Sequence, residues 1–262
     1  MSSIITLTSD FGLQDHYVSV MKAVILGIHP ESRLIDISHQ IPAQDVMACA
    51  WVLRNSSMYF PSGTVHLVVV DPGVGTKRSP VAIKIRDQFF VGPDNGIFSL
   101  IADEYEYEAY HLNNTAFWKP NPSNTFHGRD IFAPVAAHLA SGVSISKLGE
   151  RIDELVTYRW ATPIADKDGI QGWVLHIDSF GNLVTNISSQ IIEEAISDGS
   201  VKIYVGNTIL NQMVDTYGDV EDGEPAAYIG STGMLEIAIA KGNASEMLGV
   251  VKGAQISIVL QK

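Results

Sequence analysis

From Ile4 to about Leu148, short runs of aliphatic and β-branched residues alternate with longer stretches of helical spacing. This pattern predicts strands joined by crossover helices in a parallel or mixed sheet. The first strand is expected at Ile4 to Ser9, followed by a helix over about Tyr17 to Ile28 that Pro30 terminates. A second strand is expected over Arg33 to Ile37, then a helix over Asp45 to Asn55 after Pro42, and a strongly β segment at Val65 to Val70. Val81 to Val91 continues the sheet. Beyond it the pattern gives a short helix around Ile97 to Asp103, a strand near Tyr107 to Leu112, and a helix from about Asp130 to Ala140 that Gly142 closes.

After residue 150 helical spacing becomes scarce, and Gly, Asn and Asp recur between alternating or β-rich runs. A smaller β domain is expected there, with a hairpin at Val201 to Leu210 turning on Gly206-Asn207. Ser188 to Ser197 is the one helix expected in this half. The boundary falls in Asp153 to Gly169, which gives domains over 1–155 and 168–262.

With 262 residues and 46% hydrophobic content, the chain can bury a sizeable core. The formal net charge of −12 argues against a nucleic-acid partner, because phosphate-backbone binding needs clustered Lys and Arg. No basic flank precedes the apolar residues of the first segment, as a signal peptide would require. Nor does any apolar run approach the roughly 20 residues that span a bilayer, so no membrane partner and a cytoplasmic location are expected. The single cysteine, Cys49, lies in an apolar stretch and reads as a buried thiol, and no disulfide can form within the chain.

In an open α/β sheet, ligands collect outside the carboxyl ends of the strands. Asp10 ends one strand in Ser9-Asp10-Phe11-Gly12, and Asp71 ends another in Asp71-Pro72-Gly73-Val74-Gly75, so the two acids are candidates for a shared site. Either alone would serve equally well as a turn or helix-cap residue. Phe126-His127-Gly128-Arg129-Asp130 adds an imidazole whose ordinary pKa of about 6.5 suits proton transfer. Asp130 itself is most simply a first-turn acid, and Arg78 would be an ordinary surface cation in most proteins. The chain has no Gly-x-Ser-x-Gly elbow, no phosphate loop and no His-Glu-x-x-His pair. Asp10, Asp71, His127 and Asp130 could still bind a hard metal. In the second half, Ile177 to Asn186 and Gly230 to Ala238 are polar turns beside apolar strands where a ligand could be gripped.

Taken in order, these phrases resemble one family along nearly the whole chain. They comprise Ser9-Asp10-Phe11-Gly12 with Asp15 and Tyr17, Asp71-Pro72-Gly73-Val74-Gly75 with Arg78, and Phe126-His127-Gly128-Arg129-Asp130. Phe180-Gly181-Asn182 with Thr185-Asn186 and Leu235-Glu236-Ile237-Ala238 with Gly242-Asn243-Ala244 complete the series. The family is the adenosine-forming S-adenosylmethionine hydrolases, relatives of fluorinase and chlorinase. The resemblance implies an α/β N-terminal domain with a central sheet flanked by helices, a smaller C-terminal β-barrel domain, a homotrimer with sites between subunits, no metal and no cofactor.

By the same resemblance, Asp10 would hold the ribose hydroxyls and Asp15 would support that pocket. Asn182 would read the adenine edge beside Phe180, Asp178 would bind the methionine amine, and Ser231 and Glu236 would complete the methionine end. Asp71, Arg78 and His127 would activate the water that attacks C5′. Two departures stand out: Gly230 occupies a position where Asn is common, and Gln44 one where the halide enzymes carry Trp. Two other readings stay open, a metal-dependent hydrolase built on Asp10, Asp71, His127 and Asp130, and an adenosine-binding protein without turnover.

Overall fold

The computed structural model describes residues 3–158, 162–195 and 201–260. The chain forms two compact units, residues 1–158 and 159–262.

The first unit follows the order β1 (Ile4–Ser9), α1 (Tyr17–Ile28), β2 (Arg33–Ser38), α2 (Val46–Ser57), β3 (Val65–Val69), β4 (Pro80–Ile85), β5 (Gln88–Pro93), α3 (Ser99–Glu104), β6 (Tyr107–His111), α4 (Ala133–Ala140) and β7 (Glu150–Ile152). Its seven strands lie in the order β2-β1-β3-β5-β4-β6-β7. β2, β1, β3 and β5 pair in parallel, and the remaining pairs are antiparallel. Helices cover both faces. Met21 and Ile25 of α1 and Val135 and Leu139 of α4 pack with Ile5, Leu7, Leu67 and Val69. Cys49 and Leu53 of α2 and Ile101 of α3 pack with Val68, Ile83 and Phe90. The period of two along β3 sends Leu67 and Val69 to one layer and Val68 to the other, so the whole strand is buried, with His66 its single polar residue.

Val81 to Val91 continues the sheet, and does so as a hairpin, β4 and β5, pairing from Pro80↔Pro93 to Ile85↔Gln88. Its turn places Arg86 at φ 51° without a glycine, so nothing in the sequence marks the reversal. The helix expected from Asp130 starts instead with a π-helical turn over Gly128–Phe132, and α4 proper begins at Ala133 with Pro134 in its first turn.

The second unit is antiparallel: β8 (Ile164–Asp166), β9 (Gly169–Ile177), β10 (Leu183–Ser188), α5 (Ser189–Ala195), β11 (Val201–Val205), β12 (Thr208–Leu210), β13 (Pro225–Ile229), β14 (Met234–Ile239), α6 (Ala244–Leu248) and β15 (Gln255–Leu260). The strand path is β12-β11-β15-β9-β10-β14-β13, with β8 beside β9. Past β12, Val214 donates its backbone N–H to Ala227 of β13 at 2.9 Å, so the two ends of the path meet and the sheet curls to a near-barrel. Val174, Leu183, Ile203, Leu235 and Ile256 fill the interior. β11 and β12 pair across Gly206-Asn207 as expected. The helix expected over Ser188 to Ser197 is described as α5 up to Ala195, and its last two positions lie outside the described residues. α6 is a second helix, capped by the Asn243 side chain on the Glu246 N–H (3.0 Å) and closed by Gly249. Five residues give too little periodicity to detect it from sequence.

Candidate active site

β1 and β3 run side by side with Ser9 opposite Val69, so the chain leaves both strands at the same edge and brings Asp10 and Asp71 together. A cavity of ≈ 360 Å³ opens there, lined by Asp10, Tyr17, Gln44, Asp71, Phe126 and His127 among others. Asp10 is fixed by the Gln44 backbone, whose N–H donates to Oδ2 at 2.7 Å. Gln44 holds φ 65°, a conformation that costs a non-glycine residue energy and aims the amide at the carboxylate.

Behind the cavity wall, Arg78 grips Asp71 as a fork. Its Nε donates to Oδ1 at 2.9 Å and its Nη2 donates to Oδ2. The two side chains are 8% and 6% exposed, and removing one partner from so buried a pair costs about 3–5 kcal/mol. The guanidinium carbon sits 5.1 Å from the centre of the Phe132 ring. Nη2 also lies 2.8 Å from Nδ1 of His127. A guanidinium carries only donors, so Nδ1 must be the accepting nitrogen, and the neutral imidazole then carries its proton on Nε2. Burial, and then the positive charge of Arg78, hold the His127 pKa below its ordinary value against the opposing pull of Asp71 and Asp130. Arg78 Nη1 is buried without a partner. His127 lines the cavity, so its Nε2–H is the donor of this set on a cavity-lining residue, while Arg78 Nη1 stays buried behind the wall.

Asp130 plays a different part. It is fully buried, accepts from Arg129 Nε (2.6 Å) and Nη2 (2.7 Å), and takes the Ser123 N–H at 2.8 Å. Burial alone would raise its pKa, but these donors outweigh it and bring the value to about 2. It does not line the cavity, and its oxygens are already engaged. Among the described residues no three His, Cys, Asp or Glu side chains gather as metal ligands, so the hard-metal quartet is not assembled. Asp15 is exposed before α1 and does not line the cavity either.

In the second unit, Asp178, Phe180, Asn182, Ser231 and Glu236 all line one cavity of ≈ 680 Å³. Asp178 Oδ1 accepts from the N–H groups of Phe180 and Asn182, both at 2.9 Å, and Oδ2 accepts from Asn182 Nδ2 at 2.9 Å. This Asx turn holds the Asn182 amide in place and leaves the Phe180 ring 76% exposed at the cavity. Glu236 on β14 faces Tyr228 on β13, whose hydroxyl donates to Oε2 at 3.1 Å. Burial, with Asp178 adding to it, raises the Glu236 pKa despite the Tyr228 hydrogen bond. Sequence reasoning missed Tyr228. Its signal was the β13 and β14 alternation, which pairs it directly with Glu236.

The carboxylate, guanidinium and imidazole held together in the first unit, and the paired acids around a cavity in the second, are the polar groups of a small-molecule enzyme. Two family profiles match the chain: "SAM hydroxide adenosyltransferase N-terminal domain" over residues 5–149 and "SAM hydroxide adenosyltransferase C-terminal domain" over residues 172–257. The chain belongs to the SAM hydroxide adenosyltransferase family. It is 39% identical over 261 residues to a (R)-S-adenosyl-L-methionine hydrolase of Thermus thermophilus, covering 96% of this chain and 97% of the relative. A fluorinase of an Actinoplanes species is 29% identical over 274 residues, covering 90% of each. Among solved structures, an uncharacterized conserved protein from Thermotoga maritima superposes with a TM-score of 0.88 at 41% identity, covering 98% of this chain and 99% of that one.

Proposed function

We propose that the protein hydrolyses S-adenosyl-L-methionine at C5′, giving adenosine and L-methionine. The observation that carries this reading is the bonded chain Asp71–Arg78–His127 at the wall of the first cavity, in a chain of this family. The water oxygen forms a bond to C5′ as the C5′–S bond breaks. The electron pair leaves with sulfur, which turns from a sulfonium into the neutral thioether of methionine, and one proton is released. Because the leaving group departs neutral, the difficulty lies in the nucleophile, and bulk water with a pKa near 15.7 is a poor one. His127 stabilises the oxygen as it gains charge, through an N–H donor set in place beforehand, Arg78 adds its positive charge from behind the wall, and Asp71 anchors Arg78. His127 in its Nε2–H form acts as a donor, not as the proton acceptor.

Asp10 accepts from the two ribose hydroxyls, and Asp15 supports that pocket from the segment leading into Tyr17. Asn182 reads the adenine edge beside Phe180, Asp178 and Glu236 hold the methionine ammonium, and Ser231 completes that end. The working division is an α/β domain over 1–155 and a β-barrel domain over 168–262. The two cavities are completed between neighbouring subunits of a cytoplasmic homotrimer, and the reaction as written asks for no metal or cofactor. Relatives are named for the (R)-sulfonium form, which makes that epimer the substrate to offer first. Incubation with each epimer, with and without a chelator, tests the reading. It predicts adenosine and methionine in equal amounts from one or both epimers, and no adenosine from either contradicts it.

A further inference from the structure

We infer that Gly230 is a specificity-determining residue. By lacking a side chain it lets the Glu236 carboxylate fold across the β13–β14 hairpin, and this posture makes the second cavity select substrates ending in a primary ammonium. The inference deepens the function proposed above and rests on it.

Gly230 and Tyr228 are two residues apart and share a face, and Tyr228 is the direct cross-strand partner of Glu236. Gly230 is therefore the diagonal neighbour over which the Glu236 side chain lies. A Cβ built on Gly230 would stand 2.0 Å from Oε1 and 2.1 Å from the carboxyl carbon of Glu236, so the carboxylate occupies the space where any side chain at this position would sit. The Gly230 N–H bonds the Met234 carbonyl at 2.9 Å and its carbonyl takes the Gly233 N–H at 2.9 Å, which closes the hairpin and holds the backbone beneath the carboxylate. Tyr228 fixes Oε2 from the other side.

The chemistry of the pocket then follows. Asp178 and Glu236 line the same cavity, and their mutual repulsion is relieved by a cation placed between them. A primary ammonium has three donors and matches two carboxylates and a hydroxyl better than a neutral group could.

The backbone of Gly230 is not in the left-handed region, so Gly230→Ala keeps the hairpin and only the flexible end of Glu236 must move. The test compares wild type, Gly230→Ala, Glu236→Gln and the double variant, each with S-adenosylmethionine and with its analogue lacking the α-amino group. Expected for Gly230→Ala is a KM for S-adenosylmethionine raised ~10-fold or more, the scale of a lost charge-assisted hydrogen bond, with kcat within about 3-fold. The analogue should show the same KM in wild type and variant, and the double variant should be no worse than Glu236→Gln. An unchanged KM, an equal rise with the analogue, or independent effects of the two substitutions would overturn the inference. Should the wild type bind S-adenosylmethionine without cleaving it, the hydrolase reading fails, and the same comparison run as calorimetric dissociation constants still decides the role of Gly230.

Discussion

Gly75 passes so close to Asn124 that a Cβ on it would lie 2.4 Å from the Asn124 carbonyl oxygen. This contact presses the loop carrying Asp71 and Arg78 against the segment that leads into His127, and it explains the last glycine of Asp71-Pro72-Gly73-Val74-Gly75. Gly75 also sits at φ 75°. Gly75→Ala should therefore cost about 1–3 kcal/mol of stability. It should also lower kcat more than that loss explains, because the Arg78–His127 bond opens. Thermal unfolding and steady-state kinetics on the same preparation check this, and full activity in a destabilised variant would contradict it.

Arg78 bonds both of its neighbours, so its loss should be the most damaging. His127→Ala should lower kcat by ~10²–10³, the usual effect of removing one pre-set donor, with KM little changed. Arg78→Ala should lower kcat at least as far and also destabilise the fold, since it leaves Asp71 buried and unpaired.

The pH profile follows from the same contact. Burial and the charge of Arg78 lower the His127 pKa, so the imidazole stays neutral to more acidic pH than a free histidine. kcat/KM should hold as pH falls through the ordinary value of about 6.5 and decline only below it. A half-maximal point above 6.5 would show that the imidazole is not held neutral by Arg78.

Asp10→Ala should raise KM ~10-fold or more, as the loss of hydrogen bonds to a charged acceptor implies. Gln44→Gly should be nearly silent, because glycine adopts φ 65° freely and keeps the N–H that bonds Asp10. A large effect of Gln44→Gly would assign the side chain, not the backbone, to the site.

His66 gives a stability prediction remote from catalysis. It is fully buried, stacks on Phe90 with ring centroids 4.7 Å apart, and meets Thr6 Oγ1 at 2.8 Å through Nδ1. Burial lowers its pKa to about 4, outweighing the nearby Gln88 side chain, which favours the charged form. A histidine depressed in the fold stabilises it fully above the unfolded pKa of about 6.5, and that contribution is lost as pH falls towards 4. The loss is on the order of 3 kcal/mol. Chemical denaturation between pH 7 and 4 should show stability falling by up to this amount, and His66→Gln should flatten the dependence.

The first unit was legible because its layers are written in the sequence. β1 and α1 match the apolar pattern residue for residue, as buried strands and two-turn apolar stripes leave little freedom. The β4–β5 reversal was not legible because Arg86 takes a positive φ without the glycine or asparagine that would announce it. The π-helical turn before α4 was hidden for a similar reason, since Gly128–Phe132 has the composition of an ordinary helix start. For the site, parallel strand ends pointed to Asp10 and Asp71, but Arg78 and His127 stand 49 residues apart, and spacing alone could not join them. That link came from resemblance to a family. Gly230 showed only as a departure from a pattern, and its physical meaning needed the position of Glu236.

The central claim is that water oxygen ends on C5′ of the sugar. Turnover of S-adenosylmethionine in ¹⁸O-water, followed by mass spectrometry of the adenosine, measures this directly. The account predicts one ¹⁸O atom in the 5′-hydroxyl of every adenosine released and none in the methionine. Adenosine free of label, or label carried by the methionine, would contradict it.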